Sequence, residues 1–311
     1  MRERDVIARL RRMATSPEAR GLLDDVAILD GLVLTHDTIA EGVHFLPSDP
    51  PSSVGWKLVA VNLSDLAAKG ATPRAALLSL TISGDGEWED GFLGGIEAAC
   101  EAYGLALIGG DTIMLPPRAP RVLGLTAIGA AGAHVPARSG GRAGDSLWLV
   151  GSLGDSAAGL AQLLEDRRAQ GALVDVYRRP IPQIEAGRLL APHASAMMDV
   201  SDGLLLDSFR MAEASGCSAS IALDSLPLSE AFIEARGYTL EERLFAAGAG
   251  DDYALLAAFA EGFYPRALAL PAGTVLAQVG ALGPGPAAIA VQYEGIAVDL
   301  PKRLGFEHHG G

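Results

Sequence analysis

Short apolar runs alternate with longer stretches of helical periodicity from one end of this chain to the other, and that alternation leaves few folds open. An all-β barrel has no place for the helical stretches and a helix bundle none for the strands, so the pattern reads as α/β or α+β. "VAILD" (26–30) and "LVLTHD" (32–37) read as a strand pair turning at Gly31. "SSVGWKLVAVNLSDLAAKGA" (52–71) reads as a helix capped by Ser52 or Ser53 and ended by Gly70. "RAALLSLTIS" is then a strand, "EWEDGFLGGIEAACEAYG" a helix, "LALI" a strand that stops at the two glycines of "GGDT", and "RVLGLTAIGAAG" the strand that closes this half.

The Gly- and Pro-containing stretch "GAHVPARSGGRAGD" (132–145) interrupts the periodicity. A domain boundary is placed there, giving residues 1–132 and 133–311, and 311 residues are ample for two cores. In the second half "SLWLVG", "AMMDV", "DYALLAAFA", "TVLAQVG" and "AIAVQY" read as strands, and a helix is expected to open at Ser201 or Asp202. The N-terminal "MRERDVIARLRRM" suits an amphipathic surface helix and lacks the long apolar core of a secretory signal. No run is long enough to span a bilayer. With only Cys100 and Cys217, far apart, neither a disulfide framework nor a CxxC metal knuckle is available, so a cytoplasmic location is expected. A formal charge of −14 excludes a nucleic-acid or anionic-membrane surface, which needs clustered Lys and Arg, and obliges any phosphorylated substrate to arrive with metal ions.

Aspartates recur at the ends of apolar elements: Asp24 and Asp25, Asp37, Asp65, Asp111, Asp199 with Asp202, and Asp251 with Asp252. Any one of them is open to reading as a cap or turn residue. As a set they are what a site for several Mg²⁺ ions needs, since Mg²⁺ takes oxygen ligands and shares them with substrate phosphates. Asn62 and Asp65, three apart, share a helix face turned away from the apolar stripe of Trp56, Ala60, Leu63 and Ala67. Ser201 and Asp202 stand where a helix N-terminus favours anions, or where Asp202 merely stabilises the first turn. The glycines of "IGGD" either let a phosphate approach Asp111 or form a plain turn. No GxxxxGK[ST] loop, no GxGxxG and no kinase HRD or DFG set is present, so ATP would be held through carboxylate-bound metals.

Taken in order, "DDVAIL", "THDTIAEGVHF", "WKLVAVNLSDLAAKGATP", "LIGGDT", "ARSGGRAGD", "GDSAAGL", "DVSDGLLLD" and "AGDDYALL" resemble the thiamine-monophosphate kinase family, within the superfamily of aminoimidazole ribonucleotide synthetase. The likeness runs over roughly residues 24 to 306. It implies a two-domain aminoimidazole ribonucleotide synthetase-like α/β (α+β) fold, with an N-terminal Mg-ATP-binding and dimerisation domain followed by a C-terminal domain that completes the site. It implies Mg²⁺ ligands at Asp25, Thr35, Asp37, Asp65, Asp111, Asp199 and Asp202, ATP contacts at Gly110, Asp111, Arg138 and Ser201, and thiamine phosphate contacts at His44, Asp251 and Phe306. The activity implied is transfer of the ATP γ-phosphoryl group onto thiamine monophosphate with several Mg²⁺ ions and no general base, in a homodimer joined through strands 74–82 and 121–129.

Read on their own, Arg138 is a phosphate clamp or a solvated loop arginine, and His44 is a ligand contact or a satisfied core histidine. The chain departs from the family at Leu23, at His36 in place of a second Thr, and at "AGDDYA", where Asp251 replaces a Glu. If His36 turned into the carboxylates it would be cationic without metal and its proton would compete with Mg²⁺; facing away, it is neutral to function. Two rival readings are another ATP-using synthetase of the superfamily and a degenerate protein that binds Mg²⁺ or nucleotide without catalysis.

Overall fold

The structure is a computed structural model and describes residues 3–116 and 118–306. After a surface helix α1 (Glu3–Arg11), β1 (Ala27–Leu29) and β2 (Leu32–Ala40) form the hairpin expected at Gly31. α2 (Pro51–Ala68), β3 (Thr72–Ile82), α3 (Gly86–Tyr103), β4 (Ala106–Met114) and β5 (Val122–Ala130) follow. The five strands make one sheet in the order β1-β2-β5-β3-β4, antiparallel except for β3 with β4, which the α3 crossover makes parallel. α3 is held at its start by Asp85, whose side chain accepts from the Trp88 amide, and ended by Gly104 in the left-handed region.

The remaining elements are β6 (Ser146–Val150), α4 (Asp155–Glu165), α5 (Ala172–Arg178), α6 (Ile184–Leu190), β7 (Ala196–Val200), α7 (Leu204–Ser215), β8 (Ser218–Ala222), α8 (Glu230–Arg236), α9 (Leu240–Gly248), β9 (Ala254–Phe259), β10 (Leu276–Gly283), β11 (Ile289–Tyr293) and β12 (Ile296–Val298). Their seven strands form a second sheet, β12-β11-β8-β10-β6-β9-β7. No described helix is long and apolar enough to cross a membrane.

α2 is the element on which the site depends. It packs on β2 and β5 of the first sheet, on β7 and β9 of the second, and on α3 and α6. A helix covered from all sides has no solvent face, so nearly every residue from Ser53 to Ala68 is buried, Asn62 and Asp65 included. The shared face of that pair, turned away from the apolar stripe, is thus enclosed within the protein. Gly55 is required where α3 crosses, since a Cβ there would collide with the Phe92 carbonyl oxygen. Two local expectations are corrected. Pro50, not Ser52 or Ser53, precedes α2, with no side-chain cap, because Pro51 sets the first turn. β4 does not stop at Ile108 but continues through Gly109, Gly110, Asp111 and Thr112 to Met114. There Gly110 serves strand pairing, because a Cβ on it would overlap the Leu78 carbonyl oxygen of β3.

Candidate active site

Three aspartates from distant parts of the chain meet between the sheets. Asp25 comes from the loop before β1, Asp65 from α2 and Asp199 from β7, and oxygens of all three lie within 4.8 Å of one another. Neighbours fix each one. Thr35 Oγ1 donates to Asp65 Oδ2 and, at 3.3 Å, to the Asp25 carbonyl oxygen. Ser64 Oγ donates to Asp199 Oδ2 at 2.8 Å. Lys69, fully buried, places its ammonium 2.6 Å from Asp24 Oδ1 and 2.7 Å from Asp25 Oδ2 and donates to the Met197 carbonyl oxygen at 2.8 Å. Arg138 also pairs with Asp25, so it is a site arginine and not a solvated one.

The electrostatics split this group. Burial opposes the Asp25 charge, but Lys69 and Arg138 outweigh it and hold the carboxyl at about 2. Burial pushes both Asp65 and Asp199 well above the usual carboxylate range, helped at Asp65 by the charges of Asp37, Asp199 and Asp25 and at Asp199 chiefly by that of Asp25. Asp37, on the inner face of β2, rises to about 6 chiefly through burial, which outweighs the lowering effect of His36 and is helped by the lesser effects of Asp25 and Asp202. A crowd of oxygen donors whose ionisation is suppressed by mutual repulsion, with no sulfur or imidazole among the three that converge, fits a hard divalent cation such as Mg²⁺.

Above these carboxylates opens a cleft of about 550 Å³. Asp37, Ser201, Asp202, His44, Tyr177, Asp251 and Phe306 are among the residues that line it, and Asp37 is close enough to Asp25 and Asp65 to feel their charges. Ser201 and Asp202 lie in the loop between β7 and α7, because the helix opens at Leu204 and not at either of them. Asp202 is held by Arg210 Nη1 at 2.5 Å, and its amide donates to Asp207 Oδ2 at 3.0 Å. The same Arg210 reaches Asp207 Oδ1 at 2.9 Å, and burial raises the Asp207 carboxyl to about 7.

The 249–253 turn carries two residues with very different tasks. Asp252, half-buried, accepts from the Gly154 amide at 2.8 Å, anchoring the start of α4. Asp251 lines the cleft from a left-handed backbone (φ 71°), followed two residues on by Tyr253 at φ 53°, a costly conformation for an aromatic residue. His44 Nδ1 accepts from the Ala40 amide at 3.1 Å, and the Phe306 amide donates to the Asp202 carbonyl oxygen at 2.9 Å.

Two sequence expectations fall elsewhere. Asp111 is exposed on edge strand β4, opposite Ser79, which is opposite Gly124, which is opposite Thr38. That row lies on the outer face of the sheet, and three strand spacings put Asp111 about 14 Å from Thr38. Within one chain, Gly110 and Asp111 do not join the cluster. His36 shares that outer face, its Nδ1 2.9 Å from Thr126 Oγ1 and its Nε2 3.3 Å from Thr38 Oγ1, so it does not turn into the carboxylates. Conversely, sequence reasoning missed Lys57, Ser64, Lys69, Asp207 and Arg210. One signal was available: the charged residues of 51–70 are Lys57, Asp65 and Lys69, each set in an apolar run, and all three are buried.

Residues 23–131 match the AIR synthase related protein N-terminal domain, and residues 142–265 match the corresponding C-terminal domain. The chain is 37% identical over 322 residues to the thiamine-monophosphate kinase of Caulobacter vibrioides, covering 98% of this chain and 90% of that protein. It is 39% identical over 249 residues to the thiamine-monophosphate kinase of Salmonella typhimurium, covering 76% and 74%. Among solved structures it is similar to AaThiL complexed with AMPPCP and TMP, with a TM-score of 0.85 and 30% identity over 99% of this chain and 97% of that one.

Proposed function

The chain belongs to the thiamine-monophosphate kinase family, and from that premise we propose that it transfers the γ-phosphoryl group of ATP to the phosphate of thiamine monophosphate, yielding ADP and thiamine diphosphate. The observation that carries this reading is the group Asp25, Asp65 and Asp199 together with a cleft lined by Asp37 and Asp202, of which Asp37 interacts with Asp25 and Asp65. Thr35, Asp25, Asp37, Asp65, Asp199 and Asp202 are the proposed Mg²⁺ ligands, and Asp111 is a further one. Bound there, several Mg²⁺ ions would neutralise the phosphates and favour direct in-line transfer. Arg138 and Ser201 hold ATP, and His44, Asp251 and Phe306 hold the thiamine end. No side chain has to take a proton, because the acceptor is a phosphate oxygen already deprotonated at neutral pH.

Both halves share the work, the 1–132 part contributing Asp25, Asp37 and Asp65 and the 133–311 part Asp199, Asp202 and Asp251. A homodimer is supported by the exposed side chains of Leu107, Ile108, Ile113 and Met114 on β4, beside β3, and such a partner would give Asp111 a neighbouring site to reach. A cytoplasmic setting is part of this proposal. Incubation of the purified chain with Mg²⁺, ATP and thiamine monophosphate should produce ADP and thiamine diphosphate in equal amounts. AMP, or ADP and free phosphate without thiamine diphosphate, would favour a synthetase-like reaction or idle ATP hydrolysis.

A further inference from the structure

Lys57 does not line the cleft, yet the groups that do are arranged around its ammonium. The side chain comes off α2 and is 2% exposed. Its Nζ lies 2.5 Å from Asp251 Oδ2, donates to the His44 carbonyl oxygen at 3.1 Å, and sits 4.2 Å from the centre of the Tyr177 ring. Asp251 Oδ2 also accepts from Ser156 Oγ at 2.9 Å. His44, Ser156, Tyr177 and Asp251 all border the cleft. They come from the loop after β2, from α4, from α5 and from the 249–253 turn.

We infer that Lys57 is a positioning residue for the thiamine end of the cleft: its ammonium sets the direction of the Asp251 carboxylate and the height of the His44 loop, and it cancels the Asp251 charge. The geometry requires a cation at this spot. Asp251 is held in the left-handed region with its carboxylate against Nζ, and of the two charges it is the ammonium that is buried, so that each keeps its place only with the other. A side chain that only filled space would be served as well by methionine, which nearly matches lysine in length and cannot satisfy three acceptor groups at once.

The inference rests on the reading that this cleft takes thiamine monophosphate. Its test is a double-mutant cycle on the full chain with Lys57→Met, Asp251→Asn and the pair, read in steady-state kinetics for each substrate. Lys57→Met should raise KM for thiamine monophosphate by at least about tenfold while KM for ATP and kcat stay within about threefold. Because Lys57 acts through Asp251, the pair should show a KM within about threefold of the worse single variant, not the product of the two effects. Equal rises in both KM values would mean general loosening and overturn the inference, as would independent, multiplying effects. If Lys57→Met does not fold, the double variant, which leaves no unpaired charge, is compared with Asp251→Asn alone; a further tenfold rise there overturns it. Wild-type protein that makes no thiamine diphosphate would remove the functional reading and this inference together, whereas normal turnover with an unmoved KM in Lys57→Met removes the inference only.

Discussion

Replacing Asp37 by asparagine should make the metal-free protein more stable at neutral pH and leave it unchanged in acid. In the folded chain the Asp37 carboxyl is raised from the ordinary 3.8 to about 6, by burial and by the charges of Asp25 and Asp202. A carboxyl raised on folding costs nothing below its unfolded value. The cost grows as pH climbs through the interval from about 4 to about 6 and is complete above it. At about 1.36 kcal/mol per pH unit, the rise from 3.8 to about 6 corresponds to about 3 kcal/mol. Asparagine carries no charge, and the main hydrogen bond at this position survives, because it is the backbone amide that donates to Asn62 Oδ1 at 2.9 Å. Urea unfolding in EDTA should therefore show the variant about 2–3 kcal/mol more stable than wild type at pH 7.5 and only about 1 kcal/mol more stable at pH 4.5. Saturating Mg²⁺ should close or reverse the gap, since an ion that binds only the folded wild type stabilises it by mass action. A stability difference that does not vary with pH in EDTA would refute the reasoning.

Asp65→Asn should lower turnover by orders of magnitude while metal-free thermal stability holds or rises, because the carboxylate it removes is crowded by Asp37, Asp199 and Asp25; wild-type turnover at saturating Mg²⁺ would show that Asp65 is no ligand. Lys69→Met should cost roughly 3 kcal/mol in EDTA, by removing the buried cation that Asp24 and Asp25 share and leaving them only Arg20 and Arg138, with part of the loss recovered on Mg²⁺ addition; equal losses with and without Mg²⁺ would show that the lysine serves packing alone. His36→Thr should leave the Mg²⁺ concentration for half-maximal activity within about twofold of wild type from pH 6 to pH 8, because the ring faces Thr38 and Thr126 on the outer face. A steeper pH dependence in wild type than in the variant would put the ring among the metals after all.

Local chemistry was legible where one element carried it. The hairpin at Gly31, the Gly104 stop of α3 and the run from β7 toward α7 could be read from glycine placement and apolar spacing. What failed depended on partners remote in sequence. The two glycines of "GGDT" look like a turn, and only the approach of Leu78 explains why they belong inside a strand. The spacing of Asn62 and Asp65 puts them on one polar face, but what covers that face, strands of a second sheet some 130 residues later, is not written in the helix itself. β8, β12, α5, α6, α8 and α9 carried signals too short or too weakly periodic to separate from loops. In the site, the aspartates announced themselves by recurring after apolar runs. The lysines that organise them did not, since a lone Lys in an apolar helix reads as a snorkelling surface residue until its acceptors arrive from remote segments, Asp251 for Lys57 and Asp24, Asp25 and the Met197 carbonyl for Lys69.

α2 leaves the chain no seam to be cut along. Its first-half neighbours are β2 and β5, its second-half neighbours β7 and β9, and Lys69 just past its end is tied to the Met197 carbonyl oxygen. A gene severed at residue 132 would yield one product with the Ser64 and Lys69 side of that helix stripped bare and another with β7 lacking its cover. Neither product would keep a closed interior, yet each would hold what the other lacks. Separately expressed, the two should aggregate; produced together in one cell, they should find each other and rebuild the carboxylate group from Asp25 and Asp65 on one polypeptide and Asp199 on the other.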